Sequence, residues 1–182
     1  MEIIETPIAG LLIIKPRVFE DARGFFYESY NRGKYKEVGI DLDFCQDNQS
    51  KSSYGVIRGL HYQLNPHSQS KLVSVVSGAV WDVAVDLRKD SPTFGQWYGI
   101  ELTAENKLQF LIPKGFAHGF SVISESALFT YKCDAFYNQA SERGILYNDP
   151  ALSIDWKIPA DKAIVSPKDQ VHPLFKDAEM NF

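Results

Sequence analysis

Residues 73–95, VSVVSGAVWDVAVDLRKDSPTFG, decide the fold. Beyond Gly78 the side chains alternate with a period of two. Trp81, Val83, Val85 and Leu87 fall on one face, and Val80, Asp82, Ala84, Asp86 and Arg88 on the other. Alternation of this kind marks a β-strand. Ser77-Gly78 supplies a turn signal and Ser91-Pro92 closes the second arm, so the stretch reads as a hairpin. Working outward, the runs GLLIIKPRVFE (10–20), QWYGIELT (96–103), KLQFLIPKGF (107–116), HGFSVIS (118–124) and ALFTYKCDAFY (127–137) are each strand-length. Helical periodicity is confined to SYNRGKYKEVG (29–39), about three turns with Gly39 placed to end them. Many short strands between turn signals specify an all-β sandwich or barrel, of which a jelly roll is the natural form. From about residue 138 Asp, Pro and Lys become more frequent. That part is expected to pack as loops and short helices beside the barrel, leaving one domain over 1–182.

Composition narrows the function. Of the 182 residues 45% are hydrophobic and 23% charged, ordinary values for one globular domain. A net charge of −4 argues against non-specific nucleic-acid binding, which needs a strongly basic surface, but leaves room for a local basic pocket. Cys45 and Cys133 lie far apart and form no C-x-x-C, as expected for reduced thiols in a cytoplasmic protein. Glu2, Glu5 and Pro7 interrupt the apolar N-terminus, and no run approaches the roughly 20 apolar residues of a membrane span. A soluble, cytoplasmic protein with no membrane partner is expected.

Ionisable residues inside the apolar strands are the functional signal, because burying a charge is costly unless it is partnered or wetted. GVIRGLHYQ (55–63) carries Arg58 and His61; Lys71 precedes LVSVV; His118 follows PKGFA; Tyr131 and Lys132 sit in LFTYKC; Lys168 and Asp169 lie in VSPKDQVHP (165–173). Any one of these is an ordinary structural residue. Together they supply a base, an acid, a cation and a phosphate-type arginine. Residues three apart on a strand point to opposite faces unless the strand bends, and Gly59 permits a bend. Arg58 and His61 are therefore expected to reach one cavity.

PKGFAH (113–118) is similar to the second metal-binding motif of cupins, P-x-G-x-x-H. The first cupin motif is degraded. Gln63 stands in place of its second histidine and Lys71 in place of its glutamate. An ammonium repels a divalent cation, so no metal is expected.

The motifs GVIRGLHYQ, QDNQSKS (46–52), PKGFAHGF (113–120), YKCDAFYN (131–138), SERGILYNDPALSIDW (141–156) and RGFFYESY (23–30) resemble the dTDP-4-dehydrorhamnose 3,5-epimerase family almost end to end. The resemblance implies a cupin-type jelly-roll barrel, a homodimer, no cofactor and no metal. It implies a dTDP-sugar substrate, dTDP-4-dehydro-6-deoxy-D-glucose, converted to dTDP-4-dehydro-β-L-rhamnose in dTDP-L-rhamnose biosynthesis. By the same resemblance His61 is the base, Asp169 its carboxylate partner, Lys71 the cation at the enolate oxygen and Tyr131 the acid. Arg58 is expected at the pyrophosphate. Arg23, Glu28, Gln46, Asp47, Asn48, Glu142 and Lys168 are expected to complete the nucleotide and sugar contacts, His118 to bond the sugar, and Phe19 and Tyr137 to stack near the thymine. The alternatives are a single-site epimerase or 3,4-ketoisomerase of a related dTDP-ketosugar, a non-catalytic dTDP-sugar-binding barrel, and a metal-dependent cupin oxygenase. The apolar N-terminal strand is the expected element of exchange between subunits.

Overall fold

A computed structural model describes residues 1–182. Two antiparallel sheets pack face to face. The first contains β1 (Glu2–Glu5), β2 (Leu12–Lys15), β5 (Gln46–Ser53), β7 (Lys71–Ser77), β10 (Gln109–Ile112) and β12 (Ser126–Cys133), in the order β1-β2-β10-β7-β12-β5. The second contains β6 (Val56–Gln63), β8 (Ala79–Asp86), β9 (Trp97–Thr103), β11 (Phe116–Val122) and β13 (Glu142–Gly144), in the order β13-β6-β11-β8-β9. A two-residue strand, β14 (Ile164–Val165), joins β6 in parallel. A separate small hairpin pairs β3 (Phe19–Asp21) with β4 (Gly24–Phe26). This is the all-β, cupin-type jelly roll that the strand spacing and the motifs specify. No helix is long and apolar enough to cross a membrane.

The stretch around Gly78 differs from its expected form. β7 and β8 do not pair. β7 lies between β10 and β12, whereas β8 lies between β11 and β9. Gly78 is a corner where the chain changes sheets, not the tip of a hairpin. It adopts φ +79°, and a Cβ there would lie 1.9 Å from the Ser126 carbonyl oxygen. A Ser-Gly turn signal specifies reversal, but the partner of each arm is chosen by long-range packing.

Crossing between the sheets lets β8 bury both its faces. Val80 and Ala84 join Val73, Phe110, Ile112, Phe120 and Phe129 in the core between the sheets. Val83, Val85 and Leu87 face outward, yet the C-terminal segment covers them with Leu152 and Trp156. That segment adds β13 and β14 to the second sheet and otherwise runs through loops and three short 3₁₀ turns. A third cluster seats Tyr35 and Ile40 on Ile14, Leu72 and Leu111 of the first sheet.

The helix is shorter than its sequence pattern. α1 spans Arg32–Glu37, capped by the Asn31 side chain, which accepts from the Lys34 N–H. It buries only Tyr35, so packing supplies little to extend it. Gly39 at φ +88° ends it, as expected. The expected strand over 10–20 is broken at Pro16 into β2 and β3, and that over 107–116 at Pro113.

Candidate active site

The bend expected near Gly59 is present. Gly59 has φ +135°, and the pairing of β6 with β11 shifts register between His118 and Phe120. Backbone is packed so closely here that a Cβ on Gly59 would lie 2.5 Å from the Gly119 Cα. The bend brings Arg58 and His61 into one cavity of about 250 Å³ between the sheets. Its other walls are Asn48, Gln49, Ser50, Lys71, His118, Phe120, Phe129 and Tyr131. Arg58, His61 and His118 come from one sheet; Lys71, Tyr131 and Asn48 come from the other. A second, more open hollow of about 500 Å³ shares Arg58 and His61 and continues past Lys168 and Asp169.

His61 Nε2 lies 2.7 Å from Asp169 Oδ1. Since an ionised carboxylate only accepts, this nitrogen carries the proton and Nδ1 is left as the proton acceptor. Burial, the largest single influence, would raise the Asp169 pKa, but the hydrogen bond and charge of His61, the Gly59 N–H and His172 together outweigh it and hold the carboxyl below its usual range. The backbone N–H of Gly59 also donates to this carboxylate, at 3.4 Å. The glycine that bends β6 thus helps to seat the partner of its histidine.

A second acid–base pair lies deeper. His118 Nε2 sits 3.0 Å from both oxygens of Asp82, whose side chain is fully buried. Burial lowers the His118 pKa, against the opposing pull of Asp82. Asp82 is a functional candidate that the sequence reading passed over. The signal was there: a carboxylate alternating with Val80 and Ala84 on the inward face requires a partner.

Lys71 and Tyr131 face these histidines. The Lys71 ammonium is 6.0 Å from the centre of the Tyr131 ring. Burial depresses the Lys71 pKa, with nearby Cys133, Asp82 and Glu142 opposing. Burial also raises that of the Tyr131 phenol, with Arg58 opposing, so the phenol keeps its proton at neutral pH. Arg58 Nε donates to Ser52 Oγ at 3.1 Å, which fixes the guanidinium at the mouth.

The rim holds four more of the expected residues. Lys168 Nζ pairs with Glu142 at 2.7 Å, the Tyr137 hydroxyl donates to Glu142 at 3.0 Å, and the Tyr137 N–H donates to Gln46 Oε1 at 2.9 Å. Gln46 Nε2 in turn donates to Asn48. Asp47 points to the opposite face of β5, where Lys132 holds it at 2.9 Å. Arg23, Glu28 and Phe19 are also outside the cavity. Arg23 pairs with Asp21 on the small hairpin, Glu28 pairs with Lys34, and Phe19 and Glu28 line a separate hollow of about 380 Å³ beside α1.

The donor set does not suit a divalent cation. The ammonium of Lys71 shares the cavity with His61, and His118 is committed to Asp82. The amide of Gln63 is taken up by backbone at His67 and Asn138. Near the mouth, His61, Asp169 and His172 converge within 4.8 Å, but the carboxylate oxygen they share is spent on the His61 hydrogen bond.

Fold and site together define a cupin-type barrel equipped for proton transfer, with a fixed cation where cupins place a metal ligand. The chain belongs to the dTDP-4-dehydrorhamnose 3,5-epimerase family, whose model matches residues 5–177. It is 53% identical to the dTDP-4-dehydrorhamnose 3,5-epimerase of Shigella flexneri over 180 residues, covering 98% of each chain. Among solved structures it is similar to that of the Elizabethkingia anophelis enzyme, at 60% identity and TM-score 0.92 over 97% of each chain. It is likewise similar to the dTDP-6-deoxy-D-glucose-3,5-epimerase of Legionella pneumophila, solved in complex with dTDP-4-keto-L-rhamnose. Identity there is 53% and the TM-score 0.93, over 97% of this chain and 93% of that one.

Proposed function

We propose that this protein epimerises dTDP-4-dehydro-6-deoxy-D-glucose at C3 and C5 to dTDP-4-dehydro-β-L-rhamnose, in dTDP-L-rhamnose biosynthesis. The observation that carries the reading is the placement of an imidazole and a phenol, His61 and Tyr131, on opposite sheets around one cavity. The C4 ketone acidifies the hydrogens on C3 and C5, which in a glucose-type chair are both axial on one ring face. His61 Nδ1 removes each in turn, and Asp169 stabilises the imidazolium that forms. Enolate charge develops on the C4 oxygen, where the Lys71 ammonium is the fitting donor. Tyr131 returns a proton to the carbon from the far face, which inverts the centre. The imidazolium then loses its proton to water and the phenolate regains one, restoring both groups for the second inversion.

Arg58 presents paired N–H donors to the pyrophosphate. His118, oriented by Asp82, bonds the sugar. Gln46, Asn48, Glu142, Lys168 and Tyr137 make the rim contacts to sugar and base. Arg23, Glu28 and Phe19 enter this scheme through a homodimer. The small hairpin exposes Phe19, Phe25 and Phe26, an apolar surface suited to a second copy, and it carries Arg23 with it. Asp47, on the outer face of β5, belongs to the same scheme. Both cysteines are free thiols, which suits a reducing, cytoplasmic setting.

Turnover in D2O tests the reaction. Deuterium should appear at both C3 and C5 of the product, since each inversion delivers a solvent-derived proton. Label at one carbon only would reassign the protein as a single-site epimerase, and no label would leave a binding barrel.

A further inference from the structure

His172 is the fourth histidine of the chain and takes no part in the scheme above. Its Nε2 lies 3.4 Å from Asp169 Oδ1, the same oxygen that bonds His61, and its ring meets the His61 ring edge-on at 5.8 Å between centres. That Nε2 is buried and makes no hydrogen bond. The ring is seated on Gly144 of β13, where a Cβ would come within 2.4 Å of it, and Gly144 is the register partner of His61. One backbone contact therefore locates both imidazoles around one carboxylate.

We propose that His172 is a positioning residue for the base, a second N–H held close to Asp169 Oδ1 that tempers how strongly this carboxylate stabilises protonated His61. The inference rests on the proposed role of His61 as the base. An ionised carboxylate dictates the Nε2–H tautomer of the facing ring, because a lone pair there would be repelled. An N–H dipole 3.4 Å from Oδ1 offsets part of the carboxylate's negative potential without completing a hydrogen bond, so the His61 donor gains less from becoming cationic. Burial, and then the proximity of His61, lower the His172 pKa against the pull of Asp169, which favours the neutral form of this ring. The other charged or titratable groups around the pair are Lys168, held by Glu142, and the His118–Asp82 pair and Lys71 across the cavity. None of these bonds His172.

With only four histidines, each imidazole can be followed by NMR titration without reference to turnover. In H172F, which keeps a ring against Gly144 but has no donor, the His61 midpoint should rise by roughly half a unit. In H172Q, whose amide N–H can stand where Nε2–H stood, it should return to the wild-type value. In H172N, whose donor is displaced toward the Nδ1 position, it should follow H172F and carry the reading if H172F does not fold. The acid limb of kcat/KM should move with the midpoint while KM stays constant. An unchanged His61 midpoint in a folded H172F or H172N would overturn the proposal and leave His172 a packing residue. If the wild-type protein failed to label either carbon, the base assignment would fall, whereas the titration would still report on the carboxylate.

Discussion

His61 reaches the cavity with one ring nitrogen already engaged by Asp169, which leaves the other as the proton acceptor that the proposed mechanism requires. His61→Ala should lower turnover by roughly 10²- to 10⁴-fold. Its dTDP affinity should stay within a few-fold of wild type, because the pyrophosphate contact is assigned to Arg58. Equal turnover in the variant would remove His61 from the mechanism. Asp169→Asn should act in the same direction, since an amide cannot stabilise the imidazolium. The Asp169 pKa is depressed in the folded protein. Its contribution to stability is therefore complete above the unfolded carboxylate value, near 4, and is lost as pH falls through the depressed one. Arg58 and His61 were legible because each interrupts an apolar strand with an ionisable group, whereas the role of Asp169, in a loop, came from the family resemblance. Asp82 was legible too, on the inward face of β8. His172 was not, because its meaning lies in a packing contact with Gly144, 28 positions away, which is itself the register partner of His61.

At the scale of elements, β6 does its work through one glycine. Gly59→Ala would drive a Cβ into the Gly119 backbone at a positive φ and displace Arg58 and His61 together. A lowered Tm and loss of most activity are expected; a variant with wild-type Tm and rate would show that the bend tolerates a side chain. The corner after β8 offers a separate test. Asp86 has a fully buried side chain, and burial there works to raise its pKa. Hydrogen bonds from Arg88, Ser91 and Thr93 prevail and pull it down to about 2. Stabilisation from this group is present above about pH 4 and disappears between about pH 4 and 2 as the carboxylate protonates. Asp86→Asn should cost roughly 2 kcal/mol at neutral pH by denaturant melts, a difference that narrows in acid. β5 was missed in the sequence for a physical reason. QDNQSKSS alternates in exposure like any edge strand, but its inward residues are polar because they face the polar cavity rather than the apolar core.

For the whole molecule, the sites named from resemblance fall into two places in one chain. Arg58, His61, Lys71, His118 and Tyr131 share the barrel cavity, whereas Arg23 and Glu28 lie on and beside an exposed hairpin. A homodimer reconciles them if the hairpin reaches a second copy. Sedimentation should then give about 41 kDa, twice the 20.6 kDa chain. Replacing both Phe25 and Phe26 with Asp should produce monomers that retain the barrel's circular dichroism and lose activity. A wild-type monomer with full turnover would refute the exchange.

The sequence by itself determined most of the core strands, the jelly-roll class and the charged residues that strands carry inward, because alternation and turn chemistry are local properties of the chain. It also carried the family motifs. Only the tertiary structure decided that the arms flanking Gly78 part into different sheets, that Asp82 answers His118, and that two imidazoles share Asp169. Each of these is a pairing between distant segments, and such pairings are chosen by which faces bury together, a quantity no local pattern contains.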